Sequence, residues 1–149
     1  VVRAVMNQTK NTFTMADSLP IVFQKLFDLP QLGINPEHIK FGQLTMEGDQ
    51  NLCVREPNQL ALMNLKNGMI QRRPIQADGA IYSPNEVLAL RSGTTVQSYS
   101  MTQKQKLATF QVPAGESISF WRWVSNSEVA YVTANAVYHW NAVQAGHRY

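Results

Sequence analysis

From Thr94 to Met101 the chain reads Thr-Thr-Val-Gln-Ser-Tyr-Ser-Met. Thr95, Gln97 and Tyr99 fall to one side of an extended backbone and Val96 and Ser98 to the other, because strand side chains alternate between faces. Phe120-Trp121-Arg122-Trp123 alternates in the same way. Working outward, β-rich runs are predicted at Ile39–Met46, Asn51–Glu56, Gln59–Leu65, Met69–Ile75, Ala80–Ser83, Glu86–Arg91, Thr94–Met101, Lys106–Val112, Ile118–Val124, Glu128–Thr133 and Asn135–Val143. Turn residues separate them: Glu47-Gly48-Asp49, Asn67-Gly68, Ser83-Pro84-Asn85, Ser92-Gly93, Pro113-Ala114-Gly115 and Ser125-Asn126-Ser127. One short helix is predicted, around Gln24–Asp28, closed by Leu29-Pro30. The pattern is all-β.

The strands also repeat. Ile39-Lys40-Phe41, Ala80-Ile81-Tyr82 and Ile118-Ser119-Phe120 each open a unit. Asn51–Val54, Glu86–Leu90 and Glu128–Val132 supply second strands, and Gln59–Leu65, Thr94–Met101 and Asn135–Trp140 third strands. Equivalent positions lie about 35 to 42 residues apart, the length of a four-stranded propeller blade. The units fall at about 34–78, 79–116 and 117–149, the third without its fourth strand. The reading is an incomplete β-propeller over residues 19–149, the front of a larger ring, since so few blades leave sheet edges open. Residues 1–18 are polar and aperiodic, and are expected to be a flexible tail or extension, with Met15 as a candidate start.

Composition narrows the class. The 149 residues are 44% hydrophobic and 15% charged, which is too apolar for a disordered chain. No apolar run approaches the roughly 20 residues of a membrane span. Cys53 is the single cysteine, so a disulfide-stapled scaffold is excluded and a reducing, intracellular setting is expected. The N-terminal stretch has no apolar signal core. The net charge of +3 resides in the middle of the chain. Between Leu60 and Phe110 stand Lys66, Arg72, Arg73, Arg91, Lys104 and Lys106 against Asp78 and Glu86, which is 6 − 2 = +4. This is either a solvated face or a docking surface for something acidic, and it is too sparse for the dense basic stripe of a nucleic-acid binder.

Catalytic and metal signatures are missing. There is no glycine-rich phosphate loop, no Gly-x-Ser-x-Gly elbow and no His-Glu-x-x-His helix. His38, His139 and His147 lack ligand spacing with one another or with Cys53. Cys53 lies in the apolar run Leu52-Cys53-Val54 and suits a packed core thiol. Trp121, Trp123 and Trp140 suit blade packing, and Asp78 an Asx-type turn. Neither a catalytic residue, a cofactor nor a metal site is expected.

The second unit offers a binding constellation. Leu88, Thr95, Gln97 and Tyr99 can share one face of neighbouring strands, and Lys104 and Lys106 follow two apart on one side. Arg73, at the end of the first unit, lies beside the second in a propeller. An apolar floor with a basic rim suits an extended peptide with large apolar side chains and acidic neighbours. Equally, Leu88 and Tyr99 suit blade core and the lysines a solvated face.

Several motifs carry a family resemblance. Leu19-Pro20-Ile21-x-Phe23-Gln24, Leu32-Gly33-Ile34-Asn35-Pro36, Thr45-Met46-Glu47, Arg72-Arg73-Pro74-Ile75-x-Ala77-Asp78, Phe120-Trp121-x-Trp123 and Asn135–Trp140 resemble, in order, the start of the clathrin heavy chain. The resemblance implies a seven-bladed propeller, of which two blades and most of a third are present. It also implies a non-enzymatic vesicle-coat protein at the cytosolic face of coated pits and coated vesicles. Its partners would be adaptor proteins with clathrin-box motifs (tetrameric, arrestin-like and amphiphysin-like), and its membrane contact would be indirect. Light-chain binding and trimerisation belong to the helical leg of the family, which this sequence lacks.

In the family the clathrin-box groove lies between the first two blades, and its matching positions are Arg73, Leu88, Thr95, Gln97, Tyr99, Lys104 and Lys106. Tyr99 replaces a usual Phe and Leu88 a usual Ile, and the Pro84-Asn85-Glu86 loop is one residue shorter. The added hydroxyl either narrows the pocket or takes a polar partner. Phe41 matches a contributor to a second pocket on top of the propeller, whose other residues come from blades beyond Tyr149. A generic basic scaffold and a propeller enzyme or sugar-binding domain are the alternative readings.

Overall fold

The computed structural model describes residues 2–6 and 20–144. Three antiparallel meanders follow one another along the chain. The first sheet comprises β3 (Leu44–Glu47), β4 (Asn51–Arg55), β5 (Leu60–Asn64) and β6 (Ile70–Arg73). The second comprises β7 (Gly79–Tyr82), β8 (Val87–Ser92), β9 (Thr95–Ser100) and β10 (Gln105–Gln111). The third comprises β11 (Phe120–Trp123), β12 (Glu128–Val132) and β13 (Val137–Asn141). Each strand pairs with the next, so each sheet is a blade whose first strand lies innermost. Every predicted run contains a strand, but Met69–Ile75, Ile118–Val124 and Asn135–Val143 shrink to β6, β11 and β13. Ile39–Met46 becomes β3 alone, because Asn35 caps a 3₁₀ turn at Pro36–His38 and Lys40–Gln43 turn again before the strand.

Two expectations about the start of the chain change. Val2–Met6, within the stretch expected to be a tail, form β1 and pair with β2 (Ile21–Lys25); the rest of residues 1–18 lies outside the described residues. The short helix predicted at Gln24–Asp28 is absent. Gln24 and Lys25 finish β2, and Asp28 organises a turn, accepting hydrogen bonds from Lys25 Nζ at 2.6 Å and from the Gln31 amide at 3.2 Å. Five residues are too few to offset the cost of nucleating a helix. The Lys25 ammonium also holds the Asp28 carboxyl below its usual range.

Period-two alternation divides each strand between two apolar layers. Leu52, Val54, Ala61 and Met63 face outward from the first sheet, and Ile34, Phe27 and Leu29 cover them. Cys53, Leu60 and Leu62 face the other way and meet Ala80, Tyr82, Leu88 and Leu90 of the second sheet. On the far side of the second sheet Val87, Ala89, Val96 and Phe110 meet Trp123, Val129, Tyr131 and Trp140 of the third. Burial pushes the Cys53 thiol up to about 12, the chemistry of an inert core residue. The Phe110 ring stacks on Tyr131 at 5.1 Å and tilts against Trp140 at 4.8 Å. Trp123 and Trp140 are thus packing groups, and Trp121 is half-buried beside Gly79.

Polar side chains sew the inner edges together. Thr45 Oγ1 donates to the Ala80 carbonyl at 2.8 Å, Asn51 Nδ2 to the Ser83 carbonyl at 3.0 Å, and Trp123 Nε1 to the Ile81 carbonyl at 3.3 Å. These bonds satisfy backbone groups that sheet pairing leaves open. Glu47 reaches farthest. From β3 it accepts the Trp123 amide at 3.2 Å and stands 3.9 Å from Arg122 Nε, tying the first sheet to the third. Burial outweighs Arg122 and the Trp123 amide and holds the Glu47 carboxyl above its usual 4.5.

Two outcomes follow. Trp140→Ala opens a cavity in the layer between the second and third sheets and is expected to cost about 3–5 kcal/mol in urea unfolding. A carboxyl raised on folding holds its proton more tightly in the folded chain, so the Glu47 contribution to stability declines as pH rises above 4.5. Glu47→Gln keeps an acceptor for the Trp123 amide without the charge; it is expected to flatten the fall in stability between acid and neutral pH, and an unchanged slope would show that Glu47 does not set it.

Candidate functional site

The second sheet builds one wall of a cleft. Leu88 on β8 stands opposite Tyr99 on β9, and Leu90 opposite Gln97. Because Val96 and Ser98 turn to the third sheet, Thr95, Gln97 and Tyr99 turn to the first, half-buried along one line. Lys106 on β10 pairs with Tyr99, and a bulge at Leu107 then resets the register so that Ala108 lies opposite Ser98. The extra residue lets Lys106 share the Tyr99 side while Ala108 and Phe110 still enter the core. Lys104 occupies the β9–β10 turn with φ 54°, a left-handed conformation that a non-glycine residue holds only where the turn demands it. The opposite wall is Arg73, at the end of β6, and Ile75, where a tight turn (Ile75 amide to Arg73 carbonyl, 2.7 Å) leads toward the second sheet.

These elements enclose a cavity of about 310 Å³ lined by Arg73, Ile75, Leu88, Tyr99, Ser100, Met101, Lys104 and Gln105. Four of the seven predicted groove residues, Arg73, Leu88, Tyr99 and Lys104, therefore meet in one place. Leu88 is fully buried, so it serves both as blade core and as the floor. Gln97 is tied to the cavity through Tyr99, whose hydroxyl donates to Gln97 Oε1 at 2.7 Å; the added hydroxyl takes a polar partner. Lys106 is exposed beside Gln105, next along the rim. Thr95 lies apart, at the far end of β9, where its Oγ1 accepts from Gln111 Nε2 at 2.8 Å. Ile75, Ser100, Met101 and Gln105 are lining residues that sequence reasoning missed; Ile75 and Met101 offered only their apolar character at the ends of predicted strand runs.

The electrostatics of the cleft are one-sided. Arg73 Nε is buried without a hydrogen-bond partner, and one terminal nitrogen donates to Gln71 Oε1 at 3.1 Å. The Glu86 carboxylate is held by Thr102 Oγ1 at 2.7 Å. Glu86 itself closes the Pro84–Glu86 loop at φ 60°, and its carbonyl accepts the Met101 amide at 3.0 Å. Two further bases of the segment serve the fold: Arg72 donates to the Gly33 carbonyl at 2.8 Å and Arg91 to the Ile118 carbonyl at 3.1 Å, while Lys66 is exposed. Asp78 differs from its expected local turn. Its Oδ2 accepts the Gly93 amide at 2.7 Å, bracing the β8–β9 hairpin from fifteen residues away.

Phe41 is fully exposed and borders a separate cavity of about 410 Å³ between β3 and β11, with Met46, Phe120 and Trp121 among its walls. Among the described residues no group of three or more His, Cys, Asp or Glu is placed to hold a metal. His147 lies outside them. No helix among them is long and apolar enough to cross a membrane.

No family model matches the chain. It is 42% identical over 133 residues to clathrin heavy chain 2 of Homo sapiens, 38% over 130 to the clathrin heavy chain of Dictyostelium discoideum and 36% over 137 to clathrin heavy chain 1 of Arabidopsis thaliana. These matches cover 83–85% of the chain and 8% of each relative. Among solved structures, Kluyveromyces lactis Hsv2p aligns with a TM-score of 0.55 at 12% identity, covering 66% of this chain and 32% of that one. The same protein with loop 6CD replaced by a Gly-Ser linker gives 0.56 at 10%, covering 71% and 38%. At such identity these two propellers speak for the fold alone. Over the stretch it spans, a small part of those long proteins, this chain belongs to the clathrin heavy-chain family.

Proposed function

We propose that the chain is the adaptor-docking part of a vesicle coat, and that the cleft between its first two sheets captures short linear peptides of the clathrin-box kind, in which a leucine is followed at a short interval by acidic residues. In this reading it acts in the cytoplasm, on the cytosolic face of coated membranes, as a structural and docking protein rather than an enzyme, and meets the membrane through adaptors. The observation that carries it is the cavity of about 310 Å³ whose floor is Leu88, Ile75, Met101 and the Tyr99 ring and whose rim is Arg73 and Lys104.

The division of labour follows from these surroundings. A leucine side chain buried on that floor supplies most of the affinity, worth about 1.5–3 kcal/mol on full burial. Acidic neighbours meet Lys104 and Lys106, where each exposed pair adds about 0–1 kcal/mol. Charge at the rim mainly raises the encounter rate and sets orientation. The contact is weak and reversible, and many copies on one vesicle supply the strength.

In fluorescence polarisation with a labelled Leu-x-x-x-acidic peptide, Lys104→Glu with Lys106→Glu is expected to weaken binding about tenfold at low salt, from two rim contacts of up to about 1 kcal/mol each. The same change is expected to remove most of the salt dependence. Unchanged low-salt affinity would place the peptide elsewhere.

A further inference from the structure

The cleft does not end at the leucine pocket. On the same side of the first sheet, a smaller hollow of about 110 Å³ is lined by Asn51, Asn64, Asn67, Gln71, Tyr82 and Glu86, with the apolar Leu62 and Met69. Three contacts join its walls to those of the larger cavity. Gln71 accepts from Arg73 at 3.1 Å; Tyr82 pairs with Leu88 across β7 and β8; the Glu86 carbonyl accepts the Met101 amide. Gln71 and Arg73 stand two apart on β6, about 7 Å along a strand.

The chemistry of this hollow is set by the β5–β6 turn. Asn64 Oδ1 accepts the Lys66 amide at 2.8 Å, and Asn67 Oδ1 accepts the Met69 amide at 2.9 Å. A backbone N–H can be met only by the amide oxygen, so both Nδ2 groups are left as donors. Gln71 Oε1 is likewise committed to Arg73, which leaves Nε2 to donate. Burial, with Glu86 nearby, raises the Tyr82 phenol to about 12, so it too stays a donor at neutral pH. Two acceptors face this set: the Glu86 carboxylate, whose Oε2 already holds Thr102, and Asn51 Oδ1, left over because Asn51 Nδ2 donates to the Ser83 carbonyl.

Resting on the groove reading above, we infer that this hollow is a second subsite for the same peptide and takes a primary carboxamide side chain, Asn or Gln, flanking the leucine-acidic core by two or three residues. A carboxamide oxygen accepts from two of the Asn64, Asn67, Gln71 and Tyr82 donors while its NH₂ donates to Glu86 and to Asn51 Oδ1. A carboxylate guest faces Glu86 with like charge, an ammonium faces four donors, and an apolar guest leaves those donors unpaired.

The test is fluorescence polarisation of the whole chain with three labelled peptides sharing one core: alanine on both flanks, asparagine on the N-terminal flank, or asparagine on the C-terminal flank. One asparagine peptide is expected to bind about fivefold tighter than the alanine peptide, the scale of one or two net hydrogen bonds. Asn67→Asp keeps the oxygen that braces the turn and removes a donor, and Gln71→Met removes a second while keeping shape. Each is expected to shrink the asparagine gain to less than about twofold and to leave the order of the other two peptides unchanged. If the alanine peptide binds and neither asparagine peptide gains, the subsite is overturned and the groove stands. If the gain survives both substitutions, the amide is read elsewhere and the subsite is overturned. If no peptide binds, groove and subsite fall together.

Discussion

Everything that follows for the cleft depends on how the first two sheets meet. Their closest approach is at the inner strands, where β3 and β4 come within 8 Å, Cα to Cα, of β7. Thr45 and Asn51 hold that approach by donating to the Ala80 and Ser83 carbonyls. Twisted sheets that converge at one edge diverge at the other. Outward, the shared apolar layer of Leu60, Leu62, Tyr82, Leu88 and Leu90 wedges them apart, and past it the space between β6 and β9 has no backbone to fill it. A cleft with an apolar floor is thus the geometric consequence of blade packing.

The walls of that cleft inherit different chemistries from the turns that end their strands. The β9–β10 turn presents Lys104 in a left-handed conformation, and the bulge at Leu107 aims Lys106 the same way. Arg73 enters from the first sheet with a buried Nε that meets no hydrogen-bonding group among the described residues, and it stands at the junction of the two hollows. The β5–β6 turn consumes the oxygens of Asn64 and Asn67 and exposes their nitrogens. A basic end, an apolar middle and an amide-lined end along one path describe an extended guest better than a compact one.

Much of this was legible in the sequence, for identifiable reasons. Alternation in Thr95–Tyr99 and Phe120–Trp123 announced strands with two differently buried faces, and the repeat of such units announced blades. Leu88, Tyr99, Lys104 and Arg73 could be brought together because period two and blade adjacency determine which residues face each other. Thr95 also obeys period two, yet stands outside the cavity, because alternation sets the face and not the position along the strand. The short helix at Gln24–Asp28 failed because local helical character ignores a partner strand distant in sequence, here Val2–Met6. The Asp78–Gly93 brace and the Glu47–Trp123 tie were likewise hidden, since both join residues that only the folded sheets bring together. The amide-lined hollow was invisible for a third reason: the role of each asparagine depends on which of its two polar atoms the turn consumes.

The most direct test of the account is an amide NMR titration of the chain with a leucine-rich acidic peptide. The account predicts dispersed resonances with shifts confined to Arg73, Ile75, Leu88, Gln97–Met101 and Lys104–Lys106. Shifts centred instead on Phe41 and β11, or no shifts at all on a dispersed spectrum, would contradict it.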